Sequence, residues 1–243
     1  MTITPAVGAD SALFSLIRKL ADNKYWLGRR YAEWCTAAPS LESAVAAAAM
    51  AQDEIGHARS HYPLFRQFLG EDVEPETQDL FHSMACLDLP FGGWCDFVAA
   101  NLLVDTALTT VYLAALNSSY DDLRNRARRI TGEEEVHWLH ARGWVRRLTA
   151  GNNPVRDALV QSASRVWPEV VMWFGRDSDA DAAELLDAGV LSKGPNEQRA
   201  GFLGQVEPLL QPLESEAWSF SIEIDCLPWG RWDSERGRLV SSR

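Results

Sequence analysis

The chain has 243 residues, 47% of them hydrophobic, which is enough to fill the core of a globular fold. Its formal net charge of −11 argues against nucleic acid or anionic lipid as partners. The apolar runs are too short for a membrane span, and the N-terminal residues lack the layout of a signal peptide, so we expect a cytoplasmic protein without a membrane partner. The four cysteines form no C-x-x-C pair and are expected to be free thiols.

The first part of the chain predicts a hairpin of two long helices. One runs from about residue 11 to residue 38, and Ser40 is a suitable N-cap for the second. The second helix should end where Gly70 can adopt the left-handed conformation of a helix C-terminus. Pro63 lies inside this helix and predicts a kink one turn earlier, near Arg59.

A second hairpin follows the loop-rich segment 71–93. Its first helix should begin near Trp94 and end at the polar turn 117–122, and its second should continue to Ala150, before the stop signal GNNP. Residues 151–243 predict additional helices and a tail, with a short strand where SFSIEID alternates in polarity at 219–225. The helices are expected over 155–174, 179–189 and 195–210. We therefore predict a single all-α domain whose antiparallel four-helix bundle occupies about residues 10–150.

Two Glu-x-x-His pairs carry the strongest chemical signal. Glu54 and His57 stand three positions apart on the second predicted helix, and Glu134 and His137 repeat the spacing on the fourth. Side chains at this spacing lie on one helical face and can close on one metal ion. One such pair often arises by chance on a solvated face, whereas two pairs on two helices match the ligand pattern of di-iron carboxylate bundles.

The pattern also requires a carboxylate from each of the other two helices. Residues of an antiparallel hairpin face each other when they lie equally far from the turn, and this places Asp105 opposite Glu134. The same reflection in the first hairpin places Lys24 opposite Glu54, and the residues on its face supply no carboxylate. A lysine ammonium has no lone pair for a metal. It can instead pair with Glu54 and supply part of a metal's positive charge, leaving one metal ion or none.

Other polar residues near the pairs are expected in lesser roles. His61 and His140 lie one turn beyond the paired histidines and could support them, although a satisfied or exposed histidine is the commoner outcome. Asp53, Glu133 and Glu135 flank the pairs and should be solvated or bonded to ligands rather than ligands themselves.

These residues resemble the phenylacetyl-CoA epoxidase family of the ferritin-like superfamily, bacterial multicomponent monooxygenases that epoxidise the aromatic ring of a coenzyme A thioester. The resemblance covers roughly residues 18–150 and is strongest in APSLESAVAAAAMAQDEIGHARS, LLVDTALTTVYLAALNSSY and EEEVHWLHARGWVRRL. That family pairs a catalytic di-iron subunit with a homologous structural subunit. QDEIGH, LVD and EEEVH are similar to the catalytic subunit, whereas RKLADNKYWLGRRYAEWC and HARGWVRRL are similar to the structural one.

The resemblance implies a ferritin-like bundle with five metal ligands and Lys24 at the sixth ligand position. In a working site Glu54 and Glu134 would bridge or flank two iron ions and act in catalysis, and Lys24 would modulate them. The ligands that the resemblance implies are Glu54, His57, Asp105, Glu134 and His137.

Two functions from different classes remain open. The leading hypothesis is an iron-dependent oxygenase subunit that acts on an aromatic or acyl coenzyme A thioester. It would take electrons from a separate reductase, because the sequence shows no flavin, nicotinamide or iron–sulfur motif. The alternative is a scaffold subunit in which a Lys24-centred ion-pair network replaces the metal. Either function predicts an oligomer with a homologous subunit.

Overall fold

The computed structural model of the chain describes residues 11–151, 153–214, 219–220 and 223–240. Within these residues nearly all regular structure is helical. The elements are α1 (Ala12–Ala32), α2 (Leu41–His61), α3 (Arg66–Leu69), α4 (Trp94–Ala100), α5 (Thr106–Ala114), α6 (Asp121–Thr149), α7 (Asn153–Trp173), α8 (Ala180–Asp187), α9 (Pro195–Leu210), β1 (Trp232–Asp233) and β2 (Arg238–Leu239). The predicted all-α bundle is therefore confirmed.

The first hairpin consists of α1 and α2, and both helices begin at serine N-caps. The Ser11 hydroxyl accepts a hydrogen bond from the backbone of Phe14, and the predicted cap Ser40 accepts one from Ser43, each at 3.2 Å. These bonds satisfy backbone donors that have no partner inside the helix. Helix α1 ends at Ala32, six residues before the predicted end, and the chain continues in turns to Pro39.

Pro63 ends α2 instead of kinking it near Arg59. Residues Tyr62–Phe65 form a 3-10 turn, after which α3 ends at Gly70 with a φ of 79°. Proline lacks the N–H that would bond to the carbonyl four residues earlier, so the chain changes to the tighter turn at Tyr62, one residue before the proline. The predicted left-handed glycine is confirmed.

The second hairpin packs α6 against one long helix that combines α4 and α5. A π-helical turn, Asn101–Asp105, joins the two parts. The combined helix Trp94–Ala114 is long and apolar enough to cross a membrane by composition, yet 89% of its apolar window is buried inside the protein. This burial is what the central helix of a folded core shows.

The C-terminal elements cover the bundle. Helices α7, α8 and α9 confirm the predicted additional helices, and α7 packs on α4. The described part of 219–225 is not a strand, because Ile224–Cys226 form a 3-10 turn, and residues 221–222 lie outside the described residues. A small antiparallel hairpin, β1–β2, forms later, with Trp232 opposite Leu239, where the sequence showed no pattern.

Buried polar side chains of α1 and α7 hold the long loop 71–93. The Asp22 carboxylate accepts hydrogen bonds from the Tyr62 hydroxyl at 2.8 Å and the His82 backbone N–H at 2.7 Å. The Glu169 carboxylate accepts bonds from the backbones of Ala85 and Cys86. These acids satisfy backbone donors that would otherwise be buried without partners. Their burial is therefore structural.

Candidate functional site

The centre of the four-helix bundle holds a buried lysine among three carboxylates. The Lys24 ammonium lies 2.9 Å from Glu54 Oε1, 2.9 Å from Asp105 Oδ1 and 2.6 Å from Glu134 Oε1. Lys24 is fully buried, and the exposure of each carboxylate is at most 3%. The three N–H donors of the ammonium are thus matched by three acceptors from three different helices.

The two predicted histidines flank this cluster in a nearly symmetric arrangement. Nδ1 of His137 lies 3.2 Å from Glu54 Oε1, and Nδ1 of His57 lies 3.3 Å from Glu134 Oε1. Nε2 of His57 lies 2.6 Å from the carboxylate of Glu133, the residue before Glu134. Nε2 of His137 lies 3.4 Å from the carboxylate of Asp53, the residue before Glu54. Each histidine therefore bridges to the opposite hairpin.

The symmetry fails at the position shared by Lys24 and Asp105. Asp105 Oδ2 lies 3.0 Å from Nδ1 of His137, which gives that nitrogen a strong acceptor. The corresponding partner of His57 would be the ammonium of Lys24, which cannot accept a hydrogen bond. Nδ1 of His57 consequently lacks a hydrogen-bond partner of suitable geometry within the described residues, although it is buried.

Two backbone features bring these side chains together. Gly28 lies one turn beyond Lys24, and a Cβ added there would approach Ile55 Cγ1 to 2.8 Å and Glu54 Cβ to 2.9 Å. The missing side chain therefore allows α1 to lie close to α2 and sets the distance from Lys24 to Glu54. In the other hairpin, Asp105 is the last residue of the π-helical turn. Such turns often occur at functional sites, where they alter the direction of a side chain.

The charges of the cluster depend on one another. Burial opposes the ammonium of Lys24, but Asp105, Glu134 and Glu54 outweigh burial and raise its pKa well above the ordinary value. Burial likewise disfavours the imidazolium form of His137. The neighbouring carboxyl groups, Asp105 above all, outweigh burial and raise the pKa of His137. Both side chains are therefore cations at neutral pH.

The two glutamates respond in opposite directions. Burial, Asp105 and Glu134 raise the pKa of Glu54 well above its usual range and favour its protonated form. Burial also acts to raise the pKa of Glu134, but Lys24 and the two histidines outweigh it and hold that pKa well below its usual range. Protonation of Glu54 would reduce the negative charge that faces the two cations Lys24 and His137. The cluster can then be electrically balanced without a metal ion.

The donor set is suited to a metal, but its present arrangement does not fit two irons. Glu54, Asp105, Glu134 and His137 are buried, and their candidate ligand atoms lie within 4.8 Å of one another. A two-iron centre of this type uses one further carboxylate, and Lys24 stands at that position. Its ammonium also bonds the oxygens that an iron ion would bind, and it offers no lone pair.

Three polar neighbours of the site were not predicted from the sequence. The Tyr31 hydroxyl donates to Asp105 Oδ2 at 3.3 Å, and the Asn101 amide lies 3.4 Å from the same oxygen. The ring of Tyr112 lies 6.0 Å from the Lys24 ammonium. Helical spacing could have found two of them, because Tyr31 lies seven residues after Lys24 and Asn101 four residues before Asp105.

His61 is buried and His140 is half-buried; both are neutral, and neither lies among the carboxylates. Nδ1 of His61 donates to the His57 carbonyl at 2.8 Å, and the Tyr112 hydroxyl donates to Nε2 at 3.3 Å. Nδ1 of His140 lies 2.9 Å from the amide oxygen of Asn101. Burial lowers the pKa of His61 to about 3 and that of His140 to about 4. They support the surrounding helices and carry no charge near neutrality.

Two comparisons relate the chain to known proteins. A sequence profile described as phenylacetic acid catabolic protein matches residues 3–237 of the chain. The chain is also 26% identical over 193 residues to the C component of the 1,2-phenylacetyl-CoA epoxidase of Escherichia coli (strain K12), and the match covers 77% of each chain.

Proposed function

Because the chain belongs to the phenylacetic acid catabolic protein family, we propose that it is a structural subunit of a phenylacetyl-CoA epoxidase-like complex. In this proposal the Lys24-centred ion-pair network replaces the metal centre of the catalytic subunit. The observation that carries the proposal is the triple contact of the Lys24 ammonium with Glu54, Asp105 and Glu134. The similarity to one component of a multi-subunit epoxidase supports it.

The ion-pair network gives such a subunit a physical role. A buried carboxylate without a partner costs roughly several kcal/mol of folding free energy, so three of them would destabilise the bundle. Lys24 links three helices through charge-assisted hydrogen bonds, and His137 adds a second cation. The bundle can therefore keep the shape of a metal-containing relative without depending on a metal supply.

A structural role implies partners and a location. A structural subunit works by binding a homologous catalytic subunit, which would hold iron, receive electrons from a separate reductase and bind the coenzyme A thioester. We propose a cytoplasmic complex, in keeping with the acidic charge and the coenzyme A substrate of the relative.

An oxygenase subunit with its own iron is the second candidate function. It is favoured by the four convergent buried donors and by Glu54 Oε2, a buried oxygen without a hydrogen-bond partner within the described residues. In this candidate Glu54, His57, Asp105, Glu134 and His137 would bind metal once Lys24 moved aside. Two irons would give the chemistry of the catalytic subunit, and one iron an altered mononuclear site.

Iron content after anaerobic reconstitution with ferrous iron separates the two candidates. We expect close to no iron in the wild type and a rise toward about two ions per chain in Lys24→Glu, which restores the carboxylate. The matched control, Lys24→Glu with His57→Ala and His137→Ala, should lose that iron. One or two ions in the wild-type chain, together with oxygen consumption in the presence of reductant and a coenzyme A thioester, would overturn the structural assignment.

A further inference from the structure

The outer face of the bundle formed by α2 and α6 exposes large apolar side chains. Leu41 is 77% exposed, Val45 61%, Val136 65% and Leu139 48%. A groove lined by Ser43 and Ala46 of α2 and by Leu139 and Gly143 of α6 runs between the two helices. Exposed apolar residues are normal when scattered, but their concentration on two neighbouring helices indicates a surface that another chain covers.

The exposed residues of α6 follow the spacing of a helix-pairing seam. Gly132, Val136, Leu139 and Gly143 are separated by four, three and four residues, and Gly132 and Gly143 are exposed like the two apolar residues. This is the alternation that keeps one stripe of a helix against a partner helix. We call these four residues the α6 seam. The opposite stripe of α6, which includes Glu134 and His137, is already buried in the bundle.

No packing contact among the described residues requires glycine at the two glycine positions of the α6 seam. An added Cβ at Gly132 or Gly143 would meet no atom within 4 Å, and both residues lie inside a helix. Glycine in a helix interior costs about 0.5–1 kcal/mol relative to alanine. A partner backbone that approaches closely at both ends of the seam would account for this cost.

The sequence of the α6 seam is nearly symmetric about a point between residues 137 and 138. In an antiparallel pair of α6 helices related by a two-fold axis there, Val136 faces Leu139 of the second copy, and Gly132 faces Gly143 of the second copy. An interface of this kind is isologous, so each contact occurs twice. Large residues then meet at the centre, and the glycines let the backbones approach at both ends.

The charges beside the α6 seam fit the same arrangement. Glu135 and Arg142 lie on one edge of it, seven residues apart, and neither forms an ion pair within the described part of the chain. Two turns separate them, so in the antiparallel pair each Glu135 lies beside Arg142 of the second copy. Arg129 and Arg146 bound the seam, which limits close contact to about three helical turns.

We propose that this face is a self-pairing surface, through which two copies of the chain dock with their α6 helices antiparallel. The apolar seam supplies the contact area, and the Glu135–Arg142 pairs set the register and exclude the parallel arrangement. The surface lies on the opposite side of α6 from the Lys24 network, so self-pairing does not depend on whether that network holds a metal.

Charge reversal tests the register directly. Sedimentation velocity of the purified chain between about 1 and 100 µM should show a reversible dimer. Glu135→Arg or Arg142→Glu alone should weaken dimerisation by about tenfold, because two attractive pairs become repulsive. The double variant, Glu135→Arg with Arg142→Glu, should return to within about threefold of the wild type. Arg128→Glu, which reverses an exposed charge outside the seam, is the control.

Glycine substitution gives an independent readout. Gly143→Ala should raise the thermal stability of the isolated chain through helix propensity and yet weaken dimerisation, because the new methyl group lies between the paired backbones. Gly201→Ala, at an exposed position of α9 with open space around it, should raise stability alone.

Three results would overturn the proposal. They are a wild-type chain that stays monomeric, a double reversal that fails to restore pairing, and a chain that is monomeric alone but binds a homologous subunit through this face.

Discussion

The two hairpins of the bundle place equivalent residues around the same centre but differ in one charge. Lys24 and Glu54 stand 30 positions apart in the first hairpin, and Asp105 and Glu134 stand 29 apart in the second. Both hairpins contribute a glutamate and a histidine with the same spacing. The first, however, contributes an ammonium where the second contributes a carboxylate.

This difference changes the hydrogen bonding of the two histidines. His137 gains Asp105 as an acceptor and is a cation, whereas the matching nitrogen of His57 has no hydrogen-bond partner of suitable geometry in the described part of the chain. Lys24, at the position equivalent to Asp105, is therefore enough to replace a set of metal donors with a network of ion pairs.

The largest expected effect comes from removing the charge that distinguishes the first hairpin. Lys24→Met should lower the free energy of unfolding by about 3–5 kcal/mol at neutral pH, because it leaves buried carboxylates without their central cation. Urea titration followed by circular dichroism measures the change. The exposed residue Lys193 provides the control, since Lys193→Met should cost less than about 0.5 kcal/mol. A loss below about 1 kcal/mol for Lys24→Met would show that the carboxylates do not need the lysine.

The two histidines should differ in cost in the same assay. His137→Gln removes a buried cation from Asp105, Glu54 and Glu134 and should cost about 2–4 kcal/mol. His57→Gln removes one strong hydrogen bond, to the half-exposed Glu133, and should cost about 1 kcal/mol. Each variant is the control for the other, because their positions in the two hairpins are equivalent. Equal losses would contradict the asymmetry.

A smaller effect is expected from the close approach of α1 and α2. Gly28→Ala should destabilise the protein by about 1–3 kcal/mol, because the new methyl group meets Ile55 and Glu54 at distances below 3.0 Å. Thermal unfolding measures this loss. Gly204→Ala has open space around it and should instead stabilise by about 0.5–1 kcal/mol. If Gly28→Ala were also stabilising, the distance between Lys24 and Glu54 would not depend on this glycine.

The last expected effect is the change in unfolding free energy with pH that His61 and His140 cause. The pKa values of about 3 for His61 and about 4 for His140 lie below the unfolded value of about 6.5, so the unfolded chain binds more protons between these limits. Stability should therefore fall as the pH drops from about 6.5 toward 4, by at most about 1.4 kcal/mol per pH unit for each histidine.

The variant His61→Asn tests this dependence. It should reduce the slope of unfolding free energy against pH over that range, while the wild type keeps the full slope. An unchanged slope would show that the pKa of His61 is the same in the folded and the unfolded chain.

Much of the fold could be predicted from the sequence because its signals are local. Apolar periodicity, the N-cap Ser40 and the left-handed Gly70 depend on neighbouring residues only, and all appear as predicted. The missed β1–β2 hairpin depends on a distant contact, in which the Glu169 carboxylate accepts the Leu239 N–H. The strand expected at 219–225 rested on alternation alone, and within its described residues Ile224 begins a 3-10 turn instead.

The sequence by itself determined which residues meet in the centre, because equal distances from two turns fix the heights of facing residues in antiparallel helices. The sequence therefore predicts that Lys24 lies at the same height in the bundle as Glu54, Asp105 and Glu134. Only the tertiary structure decided that the ammonium contacts all three carboxylates, since those contacts depend on the close packing at Gly28 and the π-helical turn at Asp105. Distances between side chains of different helices are set by packing, which no local pattern encodes.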